Sequence, residues 1–198
     1  MLTDSIEARN LIERLGNLVR ADTRAACNEY GLKLVQVEAL RYLTQCNHYS
    51  DTPQAVTEFL GLTKGTVSQT LKVLEQKGLL RKRGDANDKR LVHLNPTAKG
   101  RRLVERTMSA ATVVQGIGKI PMSDNQVSVD SLRALLRSVQ VANDLKTFAP
   151  CYTCRFNQKR KSDYFCRLTN EPLAEQDVAL LCREHQYPIV KSKEITNL

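Results

Sequence analysis

Residues 55–103 read AVTEFLGLTKGTVSQTLKVLEQKGLLRKRGDANDKRLVHLNPTAKGRRL. Just upstream, Asp51-Thr52-Pro53 is a helix-start signal, a capping residue followed by proline at the first helical position. The helix it opens carries Ala55, Val56, Phe59 and Leu60, and Gly61 closes it. After the tight Gly61-Leu62 turn, the Thr63 hydroxyl can cap a second helix running to about Lys77 and stopping at Gly78. On that helix Val67, Leu71 and Leu74 share one side. Lys64, Gly65, Ser68, Gln69 and Lys72 share another. Residues 79–83 and 90–94 are short strand-like runs. The connection Gly84-Asp85-Ala86-Asn87-Asp88-Lys89 is rich in turn formers, which predicts a β-hairpin with a charged tip. Asn95-Pro96 predicts the cap and start of another helix, carrying Leu103, Val104 and Met108. Two helices on a tight turn followed by a basic hairpin make a winged helix-turn-helix, with the helix-turn-helix at about 52–78 and the wing at about 79–94.

Toward the N-terminus, Ile6, Leu11, Ile12, Leu15, Leu18 and Val19 recur at helical spacing, predicting a long helix over residues 5–30 that Gly31 ends. A second helix is predicted over residues 34–46, with Val35, Val37, Leu40 and Leu43 apolar. Toward the C-terminus, Gly116, Gly118 and Pro121 interrupt the pattern, and a last long helix is predicted over residues 125–148 on Leu132, Leu135, Leu136, Val139, Ala142 and Leu145. An apolar stripe on a terminal helix needs cover, and a symmetric partner is the commonest cover. The expected class is therefore mainly α with a small β-hairpin wing, long terminal dimerisation helices and a small metal-stapled C-terminal module. Residues 1–150 form the first unit and residues 151–198 the second.

Charge points to the same place. Eleven basic residues against three acidic ones between residues 61 and 104 leave +8 of the chain's net +9. Concentration of that kind is an electrostatic footprint for a polyanion. The second helix of such a unit fits the major groove of double-stranded DNA. There Lys64 and Lys72 can meet phosphates or guanine, and Gln69 can pair bidentately with adenine. Thr66 and Ser68 can bond bases or phosphates, Gly65 lets the backbone come close, and the free N–H groups after Thr63 favour a phosphate. The acidic, helix-patterned MLTDSIEARN start predicts no secretory leader. No apolar run reaches the ~18 residues a membrane span needs. The expected compartment is the cytoplasm, where thiols stay reduced. No nucleophile–base pair or phosphate-binding glycine loop is visible, so no enzymatic activity is expected.

These motifs resemble the core of the MarR family of regulators. The resemblance rests on LGLTKGTVSQTLKVLEQKGLL, on the D-x-R of the wing (Asp88-Lys89-Arg90), and on the strand leading to a capped helix; it covers about residues 5–150. It implies a homodimer whose first and last helices interlock and whose reading helices enter successive major grooves of a palindromic operator, a repressor by expectation. A small-molecule effector belongs among the implied partners; a membrane does not. By the same resemblance Arg90 reaches the minor groove, and Asp88 holds its guanidinium by a charge-assisted hydrogen bond.

The resemblance stops near residue 150. Beyond it Cys151, Cys154, Cys166, Cys182 and His185 follow the spacing C-x2-C-x11-C-x15-C-x2-H. Pairs two residues apart can approach one metal from a single turn, which gives five candidates for a four-coordinate site. A tail this short needs a staple, and a metal supplies one. Sulfur-rich tetrahedral sites select zinc. An iron–sulfur cluster is the competing reading, and would make the protein a redox or metal sensor regulating transcription. A third reading makes the tail a zinc-stabilised protein-interaction surface. Cys27 and Cys46 are expected to pack as small apolar residues, and His48 and His93 to be structural or surface residues.

Overall fold

The computed structural model describes residues 2–86, 88–109, 111–160 and 163–188. Asn87 of the expected hairpin tip and residues 189–198 of the expected tail lie outside the described residues. The order is α1 (Leu2–Tyr30), α2 (Leu34–Gln45), α3 (Pro53–Leu60), α4 (Lys64–Gln76), β1 (Leu80–Gly84), β2 (Val92–Pro96), α5 (Ala98–Ser109), α6 (Thr112–Ile117) and α7 (Met122–Ala142). The remainder is β3 (Ala149–Pro150), a 3-10 turn at Cys151–Thr153, β4 (Asn157–Lys159), β5 (Tyr164–Cys166), β6 (Glu171–Leu173), α8 (Glu175–Val178) and β7 (Leu181–Cys182). The architecture is mainly helical with small antiparallel sheets, a winged helix.

The caps fix where the central helices start. Thr52 accepts from the Ala55 N–H at 3.2 Å with Pro53 at the first helical position, and Thr63 accepts from the Thr66 N–H at 3.2 Å. Each satisfies one of the donors a helix N-terminus leaves unpaired. Gly61 closes α3 at φ +63° and Gly78 follows α4 at φ +67°, a region costly to a residue with a Cβ. The core beneath is continuous: Leu40, Val56, Leu71, Leu74, Leu80 and Leu94 from α2, α3, α4, β1 and β2 are fully buried in one cluster. Cys27 and Cys46 lie in it. Gly100 of α5 sits where an added Cβ would come within 2.3 Å of the Leu79 carbonyl oxygen, so the absence of a side chain sets how closely α5 packs on the wing.

Three boundaries differ from expectation. The second wing strand runs two residues later, because Leu91 donates to the Asp88 carbonyl and accepts from the Asp85 N–H, closing the tip before pairing begins at Val92. Asn95-Pro96 does not start a helix: Asn95 pairs with Arg81 and Pro96 with Leu80, a strand end where proline's missing N–H is tolerated. Thr97 supplies the cap instead, its hydroxyl accepting from the Gly100 N–H. The last long helix ends at Ala142 rather than at Phe148. Asn143 donates its side-chain amide to the Val139 carbonyl and Asp144 turns to φ +49°, which stops the helix and leaves Leu145 outside it. The short α6 between α5 and α7 was not expected at all.

Candidate nucleic-acid interface and the tail behind it

The capped end of α4 faces solvent. Thr63, Lys64, Gly65, Thr66, Ser68, Gln69 and Lys72 are all exposed, while Val67, Thr70, Leu71 and Leu74 on the opposite side are buried. One face of the helix is thus fixed to the core and the other carries every residue assigned to base or phosphate contact. The β1–β2 hairpin extends the same basic character through exposed Arg81, Lys82, Arg83, Lys89 and Arg90. At its tip Asp88 Oδ1 accepts from the Arg90 backbone N–H at 2.9 Å and from Arg90 Nε at 3.3 Å. The Arg90 side chain is 93% exposed. Such a pair adds little to stability, but it aims a guanidinium outward.

His93 is not the isolated residue the sequence suggested. It is buried on β2, with Nδ1 at 2.5 Å from Asp51 Oδ1 and Nε2 at 3.1 Å from Asp85 Oδ2. Burial alone would favour the neutral ring, but the hydrogen bonds to Asp51 and Asp85 outweigh it and raise the imidazole above its ordinary 6.5. Asp51 immediately precedes the cap of α3, and its carbonyl accepts from the Leu94 N–H at 2.7 Å. Asp85 opens the wing tip. One imidazole therefore pins the wing to the start of the helix-turn-helix.

The tail folds back onto the same unit. β3 pairs with β7, placing Ala149 opposite Cys182 and Pro150 opposite Leu181. The Leu181 carbonyl accepts from the Asn47 N–H at 2.9 Å. Arg183 grips Glu58 of α3 bidentately, Nε to Oε2 at 2.6 Å and Nη2 to Oε1 at 2.8 Å, and Lys146 joins at 2.6 Å. The Arg183 hydrogen bonds hold the Glu58 carboxyl down to about 2. Tyr49 donates to the Glu171 carboxylate of β6. Sequence reasoning missed Glu58 and its partners, since nothing local marks a surface glutamate as the anchor of a segment 125 positions away.

The five metal-ligand candidates separate into four and one. Burial pushes the Cys151 thiol up to about 11; β3–β7 pairing brings Cys182 beside the turn that carries Cys151 and Cys154, and Cys166 packs against the cluster that contains Cys151. His185 is engaged elsewhere: Nδ1 lies 2.6 Å from Thr147 Oγ1 and Nε2 lies 2.9 Å from Thr153 Oγ1. The Thr147 hydroxyl also donates to the His185 carbonyl, which leaves its oxygen to accept from Nδ1–H, and the Thr153 hydroxyl beside Nε2 also donates to the Pro150 carbonyl at 2.7 Å. Among the described residues no group of three or more His, Cys, Asp or Glu side chains is arranged to hold a metal ion.

Comparison with known proteins assigns the central segment. Residues 30–91 match the MarR family. That stretch spans α2 to the wing tip. The MarR-type fold extends further. A mutant of MepR from multidrug-resistant S. aureus superposes with a TM-score of 0.57 at 24% identity, over 67% of this chain and 97% of its own. CouR from Rhodococcus jostii RHA1, solved with p-coumaroyl-CoA, gives 0.54 at 23% identity, over 70% and 94%. The S. aureus MepR–DNA complex gives 0.51 at 23%, over 66% and 96%. About a third of this chain lies outside each superposition. No curated protein matches the sequence. Among the described residues no helix is long and apolar enough to cross a membrane.

Proposed function

We propose that the protein is a MarR-type, homodimeric, sequence-specific DNA-binding transcription regulator, acting in the cytoplasm as a repressor that occupies a palindromic operator. One observation carries the reading: a capped helix turns its core side inward and leaves Thr63, Lys64, Gly65, Thr66, Ser68, Gln69 and Lys72 together on the outside, beside a basic wing ending in Asp88, Lys89 and Arg90. Phosphate contacts from the lysines set position, and the Gln69 amide and the hydroxyls read base edges. Arg90 reaches the minor groove from the wing. MepR as a DNA complex and CouR as an acyl-CoA complex support duplex DNA and a small-molecule effector as the partner classes.

Dimerisation follows from the terminal helices. Ile6, Leu11, Leu15 and Leu18 of α1, with Leu132 and Leu136 of α7, leave about half of each side chain in water. A second copy of the chain is the occupant proposed for this face, because two-fold symmetry would present two reading helices to a duplex one helical turn apart.

Selection of bound sites from a random duplex library tests the reading. Enrichment of an inverted repeat with half-site centres about 10 base pairs apart is expected, and Gln69→Ala should relax the preference at one position in each half-site. Recovery of no enriched motif would contradict sequence-specific reading.

A further inference from the structure

The tail has little apolar material to hold it. Cys151, Leu173 and Val178 are its buried hydrophobic cluster, with Tyr49, Tyr164 and Cys166 packed partly against them. A cluster of that size does not stabilise a segment of about forty residues unaided. What the tail has instead is a backbone that brings four sulfur-bearing positions together from three directions. The Cys151 N–H donates to the Leu180 carbonyl, and β3 lies antiparallel to β7, so the Cys151–Cys154 turn sits beside Cys182. The Cys154 N–H donates to the Cys151 carbonyl at 3.0 Å, the tight turn that lets two cysteines face one point. β5 places Cys166 opposite Asn157, and the Asn157 amide donates to Cys151 Sγ at 3.3 Å. The Gln186 N–H donates to Cys154 Sγ at 3.5 Å. Donors aimed at sulfur orient it.

We propose that Cys151, Cys154, Cys166 and Cys182 form one four-thiolate zinc site, with His185 packed beside it rather than ligating. The donor set suits the ion: four soft sulfurs and no oxygen, the composition of tetrahedral structural zinc. The side chains as placed are separate free thiols rather than a closed shell. In this proposal the ion closes the shell by turning the cysteine side chains between staggered wells about their single bonds. His185 is excluded because both ring nitrogens serve threonines at the two edges of the module, Thr147 before β3 and Thr153 in the first turn. Its role is to hold that first turn against the segment that follows Cys182. Zinc here also reaches the DNA-reading unit: Cys182 is followed by Arg183, whose guanidinium is fixed on Glu58 of α3. This site does not depend on the DNA-binding reading, and its test is independent of DNA.

Full-length protein purified without oxygen should be colourless and contain about one zinc per chain, as a four-coordinate structural site requires. Replacement by cobalt(II) should give a thiolate-to-cobalt charge-transfer band of four-sulfur intensity. His185→Ala should retain both the stoichiometry and that intensity, whereas Cys166→Ser should reduce the intensity by one thiolate's share and weaken retention of the metal. A metal-free wild-type protein, a brown protein containing iron and sulfide, or a cobalt spectrum showing three sulfurs and one nitrogen would each overturn the assignment. The cobalt spectrum of the unmutated chain decides the ligand count even if a cysteine variant fails to fold.

Discussion

The winged unit and the tail meet across Glu58 and Arg183, yet they are held together by different means. The winged unit buries large aliphatic side chains from five elements in one cluster. The tail has a cluster of three, Cys151, Leu173 and Val178, and relies on short ladders, side-chain hydrogen bonds and the interface with α3. The first kind of stability is spread over many contacts, and loss of any one is felt throughout a cooperative core. The second is concentrated in a few polar anchors and, as proposed above, a zinc site, so it can fail locally while the winged unit stays folded.

Leu74→Ala tests the first half of that contrast. It opens a cavity under the reading helix and should cost about 2–5 kcal/mol, seen as a lower midpoint of the main unfolding transition by every probe. If only the tail responded, the two regions would not differ as described. Glu58→Ala tests the second half. It leaves the partly buried Arg183 with Glu184 as its remaining carboxylate partner and should cost about 1–3 kcal/mol, confined to the tail. Hydrogen exchange should accelerate over residues 149–188 and remain slow in α2 and α4. Equal acceleration in both would show that the regions unfold as one.

His93 sharpens the comparison from inside the winged unit, because there a polar clamp does what apolar contacts do around it. Its raised folded-state value means that the charged ring's contribution is fully present below the ordinary 6.5 and is lost as pH rises through the higher folded value. Wild type should therefore lose its stability advantage over His93→Gln with increasing pH, a difference of about 1–3 kcal/mol at the acidic end. Denaturant midpoints across that range provide the check, and a pH-independent difference would mean the ring is neutral between its two carboxylates.

The same contrast explains what was legible in the sequence. Helices α1 to α4 could be read because their apolar period and their caps, Thr52 and Thr63, are local signals that the tertiary structure reinforces. Asn95-Pro96 was misread because the same dipeptide suits a helix start and the end of an edge strand. Only pairing with Leu80 and Arg81 decides between them. Helix α7 stops short because Asp144 adopts a left-handed conformation, which apolar spacing does not encode. In the tail, cysteine spacing marked the candidate ligands, but the proposal that sets His185 outside the shell rests on Thr147 and Thr153, which lie 38 and 32 residues away. Glu58 was missed, and the partners of His93 were not foreseen, for the same reason: each is defined by partners distant in sequence.

The most direct test of the central claim is the salt dependence of binding to duplex DNA. The dimer proposed above, with Lys64, Lys72, Lys89 and Arg90 from each subunit, should show log affinity falling linearly with log salt. The slope should be about −5 or steeper, at roughly −0.9 for each phosphate neutralised. Lys72→Ala should make that slope shallower by about 1 per contact removed. A slope near zero, or one unchanged in Lys72→Ala, would contradict the assignment of this face to DNA.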